Sequence, residues 1–418
     1  MCGMIKHLLF LLLLLPSGLF YSQQKYTLDA CETAFLKNNF LLLAEQYNLS
    51  AADAAIVQAK VWDLPILSGE FNLINPQNNH FLDVGSKGQK ALAVQQLIYL
   101  GGKHKKQIEF AKSNKELALL QYEQLVRSLK LELRSRFYEL FYNQQKVKSI
   151  NDQLNQLDTL VQSYSLQAAK GNVSMKDVVR LQSLTLSLRS NLTDIEQANR
   201  EAQTSLRIIT GIEEDIQTIE ETYQMDLYKK PLLLSPSEGM ELCKNNNPDW
   251  LFASKTVENS NLFLAWQKSL AVPDLTLGAS YDQRGGAFQN QTNITFAIPL
   301  PLWNKNKGNI KIAEAMVNQQ GTLLKQKELE LSTQLSNALS QLRYYQKQYN
   351  DASLYQPNFE FVFNGVLQNF QKRNISLIEF TDFIESYNQS VLFLDEIEKQ
   401  IMIQGQTINY IVSQSVFK

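Results

Sequence analysis

Histidine is almost missing from this chain, with three in 418 residues, and only His80 and His104 lie beyond the N-terminal apolar leader. Two imidazoles leave general acid–base chemistry without its usual groups and give a transition metal no cluster of soft or imidazole ligands. No Ser-His-Asp arrangement, phosphate loop or zinc-binding pattern is present either. The expectation is no enzyme, no resident metal and no cofactor. Cysteine is equally scarce. Cys2 precedes the leader's apolar core, where no lipidation motif can use it, and no cysteine stands at the start of the mature chain, so lipid anchoring is not expected. Cys31 and Cys243 can pair in an oxidising compartment or serve as two small buried residues on helix faces. A surplus of basic charge is also absent: the formal net charge is -1. Without a cluster of Lys and Arg to release counterions, nucleic acid is excluded as a partner. Finally, no apolar run approaches the roughly 18 residues that a membrane-spanning helix requires.

The one short run, Leu8 to Leu15, follows Lys6 and His7 and is broken by Pro16, Ser17 and Gly18, with Ser22 as a small residue for cleavage. This is the form of an export signal, placed at 1–22. An exported chain without a spanning helix can still enter a membrane as strands.

What the sequence does hold is self-similarity. The stretch KGNVSMKD (Lys170 to Asp177) returns as KRNISLIE (Lys372 to Glu379), which sets Asn172 against Asn374, Val173 against Ile375 and Ser174 against Ser376. The same offset carries Ile108 onto Ile310 and Ala111 onto Ala313. Upstream the match is looser, with Lys37, Asn38 and Asn39 set against Lys244, Asn245 and Asn246. The chain reads as a tandem duplication.

Between these markers the pattern is helical. Ile150, Leu154, Leu157, Val161, Tyr164 and Ala168 alternate steps of four and three, as do Leu331, Leu335, Ala338, Leu342, Tyr345 and Tyr349. That is a coiled-coil seam with polar flanks. From His104 to Lys170 it runs for about 67 residues, or about 100 Å of helix. Gly171 and Asn172 suit a chain reversal, and Ser174 with Asp177, or Ser376 with Glu379, has the form of a capping box. A new seam follows, with Leu181, Leu184, Leu188, Leu192 and Ile195. Each half therefore holds a long antiparallel helical hairpin whose tip is one of the repeated motifs. Arg373 stands where the first tip has Gly171, so the second turn is expected to use other backbone angles.

Alternating segments flank the hairpins. Leu67, Gly69, Phe71 and Leu73 share one face of PILSGEFNLI, and Leu275, Leu277, Ala279 and Tyr281 one face of DLTLGASYD. Second alternating runs follow, from Lys90 to Leu97 and from Thr292 to Leu300. Strands of about ten residues with one apolar face, and Phe71, Tyr99, Tyr281 and Trp303 as interface aromatics, suit an outer-membrane barrel. Open sheet edges cannot face lipid and the smallest single-chain barrels need about eight strands, so four strands must close a barrel together with other chains. The expected layout is a first repeat at 23–235, with a helix, a strand hairpin at 64–97, a helical hairpin at 104–210 and a connecting segment at 211–235. A second repeat at 236–418 has a helix, a strand hairpin at 273–300 and a helical hairpin at 308–415.

Duplicated halves of this kind, with G-N-[VI]-S type tips and the junctions ALAVQQLIYLGGKHKKQIEFAK and FAIPLPLWNKNKGNIKIAEA, resemble the TolC-type outer-membrane efflux protein family, above all its heavy-metal and drug efflux branch. The resemblance implies a mainly α protein with a membrane β-barrel part: a homotrimer whose chains share a 12-stranded barrel in outer-membrane lipid and extend helices into the periplasm. It implies a periplasmic adaptor (membrane fusion) protein and an inner-membrane resistance-nodulation-division or ABC-type pump as partners, and the role of a passive exit duct for small molecules or cations. A duct for peptide or protein secretion of the type I kind, and a periplasmic coiled-coil scaffold without a pore, are the alternatives. Acidic side chains near the second tip line the periplasmic constriction in family members. Glu379 and Asp382, one turn apart, match that place, with Asp177 as the first-half equivalent. Gly171, Asn172, Val173, Ser174, Arg373, Asn374, Ile375 and Ser376 are the expected adaptor contacts. Met175, Val178, Leu181, Leu377, Ile378 and Phe380 add apolar surface beside them.

Overall fold

The computed structural model describes residues 25–220, 222–284, 287–354 and 359–417; the export signal expected at 1–22 lies outside them. In chain order the elements are β1 (Lys25–Tyr26), α1 (Leu28–Asn38), α2 (Phe40–Ala59), β2 (Ile66–Phe71), β3 (Gln89–Ile98), α3 (Lys103–Ala169), α4 (Met175–Thr210), β4 (Gln217–Thr218), α5 (Thr222–Lys229), α6 (Pro236–Asn246), α7 (Pro248–Ser269), β5 (Leu275–Arg284), β6 (Phe288–Ala297), α8 (Lys307–Ser353), α9 (Phe359–Gln371) and α10 (Leu377–Val412). The protein is mainly helical with a minority of strands, as the periodicities imply. Two compact units divide it. One gathers the chain up to Asn39, Glu132–Lys229 and Lys347–Ile403; the other gathers Phe40–Leu131, Lys230–Gln346 and the chain from Gln404 onward.

The first unit is built on the seams. Ile150, Leu154, Leu157, Leu181 and Leu188 are buried with Phe363, Phe370, Phe380 and Ile384 in one core, and Leu184, Leu192 and Ile195 pack against it. The spacing of four and three puts these side chains on one stripe of each helix, and burying each contributes about 1.5–3 kcal/mol. The unit's small two-stranded piece, β1 with β4, is parallel. Just before β4, Ile216 is fully buried. Its N–H donates to Gln203 Oε1 at 3.0 Å, while its carbonyl accepts from Gln203 Nε2 at 2.7 Å and Gln144 Nε2 at 2.9 Å. Two glutamine amides thus replace a strand's ladder and fix the connecting segment to α3 and α4.

The second unit holds a four-stranded antiparallel sheet of order β2-β3-β5-β6. Three strands have ten residues, but β2 has six. Beyond β2 the chain turns into a loop organised by Asn75, whose Nδ2 donates to Asp83 Oδ2 at 2.7 Å and to the Lys87 carbonyl at 3.1 Å. In the same unit α8 buries Leu331, Leu335, Ala338, Leu339 and Leu342.

Several findings differ from the expectations. Each half begins with two helices, not one, meeting at an asparagine. Asn39 follows α1, and its Nδ2 donates to the Ile209 carbonyl at 2.9 Å; Asn247 follows α6, and its Nδ2 donates to the Ile411 carbonyl at 2.8 Å. The structural counterpart of Asn39 is therefore Asn247, not Asn246, a shift that a loose match between asparagine-rich runs cannot detect. The outgoing arm of the second hairpin is two helices, α8 and α9. Run Thr292 to Leu300 ends as a strand at Ala297. The cysteines, by contrast, follow the second of their two readings: Cys31 and Cys243 are free thiols, both fully buried. Burial pushes the first up to about 12, with Glu32 adding to the rise, and the second up to about 11, with Asp249 adding.

Candidate functional site

Two regions carry the chemistry, one in each unit. In the sheet, cross-strand register sorts the side chains by face. Gly69, Leu92, Tyr281 and Thr292 are aligned across the strands, as are Leu67, Val94, Ala279 and Ile294, and then Gln96, Leu277 and Phe296. The opposite face carries Ser68, Ala93, Ser280 and Asn293 in one row and Gln95, Gly278 and Thr295 in another. Period-two alternation in four separate segments thus lands most of the large apolar groups on one side, with Ile66 and Leu97 on the other. That side is open: Leu67, Ile294 and Phe296 are 72%, 87% and 76% exposed. A continuous apolar face of this kind is stable only against an apolar surround. No described helix is long and apolar enough to cross a membrane.

Below the sheet, Gly101 and Gly102 turn the chain into α3 with positive φ. Lys103 Nζ lies 2.6 Å from Asp274 Oδ1, and the Leu100 N–H donates to the same carboxylate oxygen at 3.0 Å. Trp62, Tyr99 and His104 form a cluster of rings, with centroids 5.4 Å apart for Trp62 and Tyr99 and 4.4 Å for Trp62 and His104. Trp303 is almost fully exposed. Such amphipathic rings belong at a boundary between apolar and aqueous surroundings.

The tips lie in the other unit. At the first, the Gly171 N–H donates to the Ala168 carbonyl and the Asn172 N–H to that of Gln167, both at 2.9 Å. At the second, Arg373 donates to Phe370 and Asn374 to Asn369, again at 2.9 Å. These are the paired bonds of a Schellman ending. Each asparagine side chain closes the turn further, Asn172 onto Gln167 Oε1 at 2.8 Å and Asn374 onto Asn369 Oδ1 at 3.1 Å. Arg373 has φ +64° and Gly171 φ +76°. The expectation of different angles is wrong: the two hydrogen bonds and the asparagine clasp hold arginine in the left-handed well at a cost of about 1 kcal/mol.

The two caps differ. Ser376 and Glu379 close a full box, the Glu379 N–H donating to Ser376 Oγ at 3.2 Å and the Ser376 N–H to Glu379 Oε2 at 2.7 Å. Those bonds from Ser376 hold the exposed Glu379 carboxyl below the usual range. At the first tip Asp177, one carbon shorter, accepts the Ser174 hydroxyl at 2.9 Å instead. Asp382 is exposed and Asp177 half-buried. Among the described residues no group of three or more His, Cys, Asp or Glu could hold a metal ion.

The surface offered by the tips is narrower than the sequence suggests. Val178, Leu181 and Phe380 are buried and so cannot serve a partner. Phe380 stacks on Phe370 with centroids 4.1 Å apart and planes 8° apart, and Phe370 stacks in turn on Tyr164 at 5.9 Å. Packing of one tip on the other, which no single-segment periodicity reveals, consumes these residues. Met175 and Ile378 remain exposed, and Val173, Ile375 and Leu377 are half-buried.

An antiparallel sheet with an exposed apolar face, one strand of which turns through Gly101 and Gly102 into a long helical hairpin, is the kind of fold seen in outer-membrane channel proteins. The structure superposes on CusC with a TM-score of 0.74 at 15% identity, over 92% of this chain and 91% of that one. It matches the CmeC outer membrane channel of Campylobacter jejuni with a TM-score of 0.74 at 13% identity, over 94% and 86%. Residues 33–212 match the family described as outer membrane efflux protein, so the resemblance read from the repeats and tips is borne out. The cobalt-zinc-cadmium resistance protein CzcC of Cupriavidus metallidurans is 22% identical over 386 residues, which span 91% of this chain and 87% of CzcC.

Proposed function

We propose that three copies of this chain form the outer-membrane exit duct of a tripartite efflux system. The observation that carries the reading is the sheet: four strands, one exposed apolar face and two open edges, β2 and β6. Lipid satisfies the face but not the edges, and three copies supply the twelve strands that close a barrel with neither edge left over. The family match over residues 33–212 supports the efflux role, and the transport ducts of this family are not enzymes. Cargo passes from an inner-membrane pump through a periplasmic adaptor, and the pump supplies the energy.

Asp382, Glu379 and Asp177 are the proposed carboxylates of the periplasmic aperture. A threefold ring of them attracts cations and repels anions. Glu379 also serves its helix cap, so Asp382 is the group with a carboxylate free to face passing ions. Metal cations are the proposed cargo, on the strength of the similarity to CzcC, and they pass without His or Cys ligands. The tip residues Gly171 to Ser174 and Arg373 to Ser376, with the exposed Met175 and Ile378, are the proposed adaptor contacts. Cysteines introduced at Asn172 or Asn374 are expected to crosslink to a co-expressed adaptor hairpin.

The deciding experiment is reconstitution of the purified chain into planar bilayers, beside gel migration with and without heating. Ion-conducting, heat-modifiable trimers extracted only by detergent support the duct. A soluble, non-conducting dimer overturns it and favours a scaffold.

A further inference from the structure

The loop between β2 and β3 is folded to one side of the sheet, and that side is the apolar one. Cross-strand register puts Phe71, Lys90 and Gln283 in one row, two residues along from the row of Gly69, Leu92 and Tyr281 and so on the same face. Lys90 Nζ donates to the Val84 carbonyl at 3.2 Å, and Gln283 Nε2 to that of Gly85 at 2.9 Å. Gln283 is buried. Leaving β2, the loop thus passes β3 and reaches β5, away from the open β2 edge. It stands at the end of the strands opposite Gly101 and Gly102, which lead into α3.

Within the loop the polar groups bond to one another. Asp83 Oδ2 accepts from Asn75 Nδ2 at 2.7 Å and Asn78 Nδ2 at 2.9 Å, and Asp83 Oδ1 accepts the Gly85 N–H at 3.1 Å. The Leu82 N–H donates to the Leu73 carbonyl and the Asn75 N–H to that of His80, both at 2.9 Å, making a small antiparallel hairpin around Ile74 and Phe81. What this hairpin turns outward is apolar: Leu73, Ile74, Phe81, Leu82 and Val84 are all exposed. Such a segment can leave bulk water without stranding the donors and acceptors that hold it together.

We propose that residues 73–84 are a membrane-interface anchor, a loop folded outward so that its apolar side chains enter the headgroup boundary of the outer leaflet. The proposal rests on the barrel reading, which puts lipid against the face that Lys90 and Gln283 share with Leu67, Val94 and Ile294. Lipid is the occupant because the loop extends that same apolar face beyond the ends of the strands. A neighbouring copy pairs at the β2 edge, from which the loop turns away. Asp83 and the exposed Lys87 keep the loop at the wet boundary and out of the hydrocarbon.

The test is spin labelling of the full chain in vesicles of phosphatidylcholine and phosphatidylglycerol. A nitroxide is attached at Phe81→Cys, the buried Cys31 and Cys243 being closed to the reagent. Its accessibility to oxygen, which concentrates in lipid, is compared with that to a water-soluble nickel chelate. Ile294→Cys on the apolar sheet face is the lipid reference, and Ser183→Cys, exposed on α4, the aqueous one. The oxygen-to-nickel ratio at Phe81→Cys is expected to stand several-fold above that at Ser183→Cys and below that at Ile294→Cys. A lipid ratio at Ile294→Cys with an aqueous ratio at Phe81→Cys overturns the anchor alone. Low access of both reagents to Phe81→Cys also overturns it, in favour of cover by a neighbouring copy. An aqueous ratio at Ile294→Cys overturns the barrel reading and the anchor with it. Should Phe81→Cys not insert, Val84→Cys, also exposed, is read by the same outcomes.

Discussion

Arg373 occupies the same left-handed backbone well at the second tip that Gly171 occupies at the first, with φ +64° and +76°. A Cβ added at Gly171 meets nothing within 4 Å, so a side chain there costs only backbone strain. Gly171→Ala is expected to destabilise the chain by about 1 kcal/mol, and Arg373→Gly to leave stability unchanged or raise it by up to about 1 kcal/mol. Denaturant melts of the two variants, run side by side in detergent, check the opposite signs.

The faces of the sheet predict an asymmetry between neighbouring positions of one strand. Ile294 is on the apolar side and Asn293 on the polar side. Ile294→Arg places a charge against lipid and is expected to cost about 2–4 kcal/mol near the midplane, whereas Asn293→Arg is expected to leave folding intact. Yields of heat-modifiable protein after refolding into lipid vesicles report the difference. Equal yields would sink the assignment of faces.

At the proposed aperture, Asp382→Asn is expected to weaken block of single-channel current by divalent cations more than Glu379→Gln does, because part of the Glu379 carboxylate is engaged by its cap. The double variant raises conductance further. Unchanged current and block in the double variant would remove these carboxylates from the gate.

Glu379 also predicts a pH effect at the second tip. Its pKa is depressed by the bonds from Ser376. The contribution of the cap is therefore present above the ordinary glutamate value of about 4.3 and lost as the pH falls through the lower folded value. Proteolytic nicking near residue 374 is expected to rise on that acid side in the wild type and to be independent of pH there in Glu379→Gln.

Asn39 and Asn247 do parallel work in the two units. Asn247 also caps α7, its Oδ1 accepting the N–H groups of Asp249 at 2.7 Å and Trp250 at 3.3 Å. Asn247→Ala loses both the cap and a buried bond, for a cost of about 2–4 kcal/mol. Calorimetry of the variant against the wild type checks that loss.

What could be read from the chain depended on how locally each feature is encoded. Leu181, Leu184 and Leu188 announce a helix face within two turns, and Leu67, Gly69 and Phe71 announce a strand face within five residues. The positions of the tips were equally visible in their polar breaks. The geometry of Arg373 was not, because propensity points away from the left-handed well and only the Schellman bonds and Asn374 hold it there. Phe380 read as surface because it lies just past the first turn of α10, four residues beyond the cap Ser376, and its burial depends on Phe370 stacking on it. The ion pair of Lys146 with Glu396 was invisible for a related reason: the two are 250 positions apart, and no sequence spacing joins them. The shortness of β2 follows from a side chain too, since Asn75 folds the next stretch back on itself.

The unfinished edges of β2 and β6 bear on how such a molecule matures. Their outward-facing amides and carbonyls find hydrogen-bond partners in water but not in hydrocarbon, so a solitary copy gains little by entering the bilayer. On the proposed trimer, insertion becomes a collective event whose rate climbs steeply with the amount of chain present, and scarcity alone would hold single copies on the aqueous side.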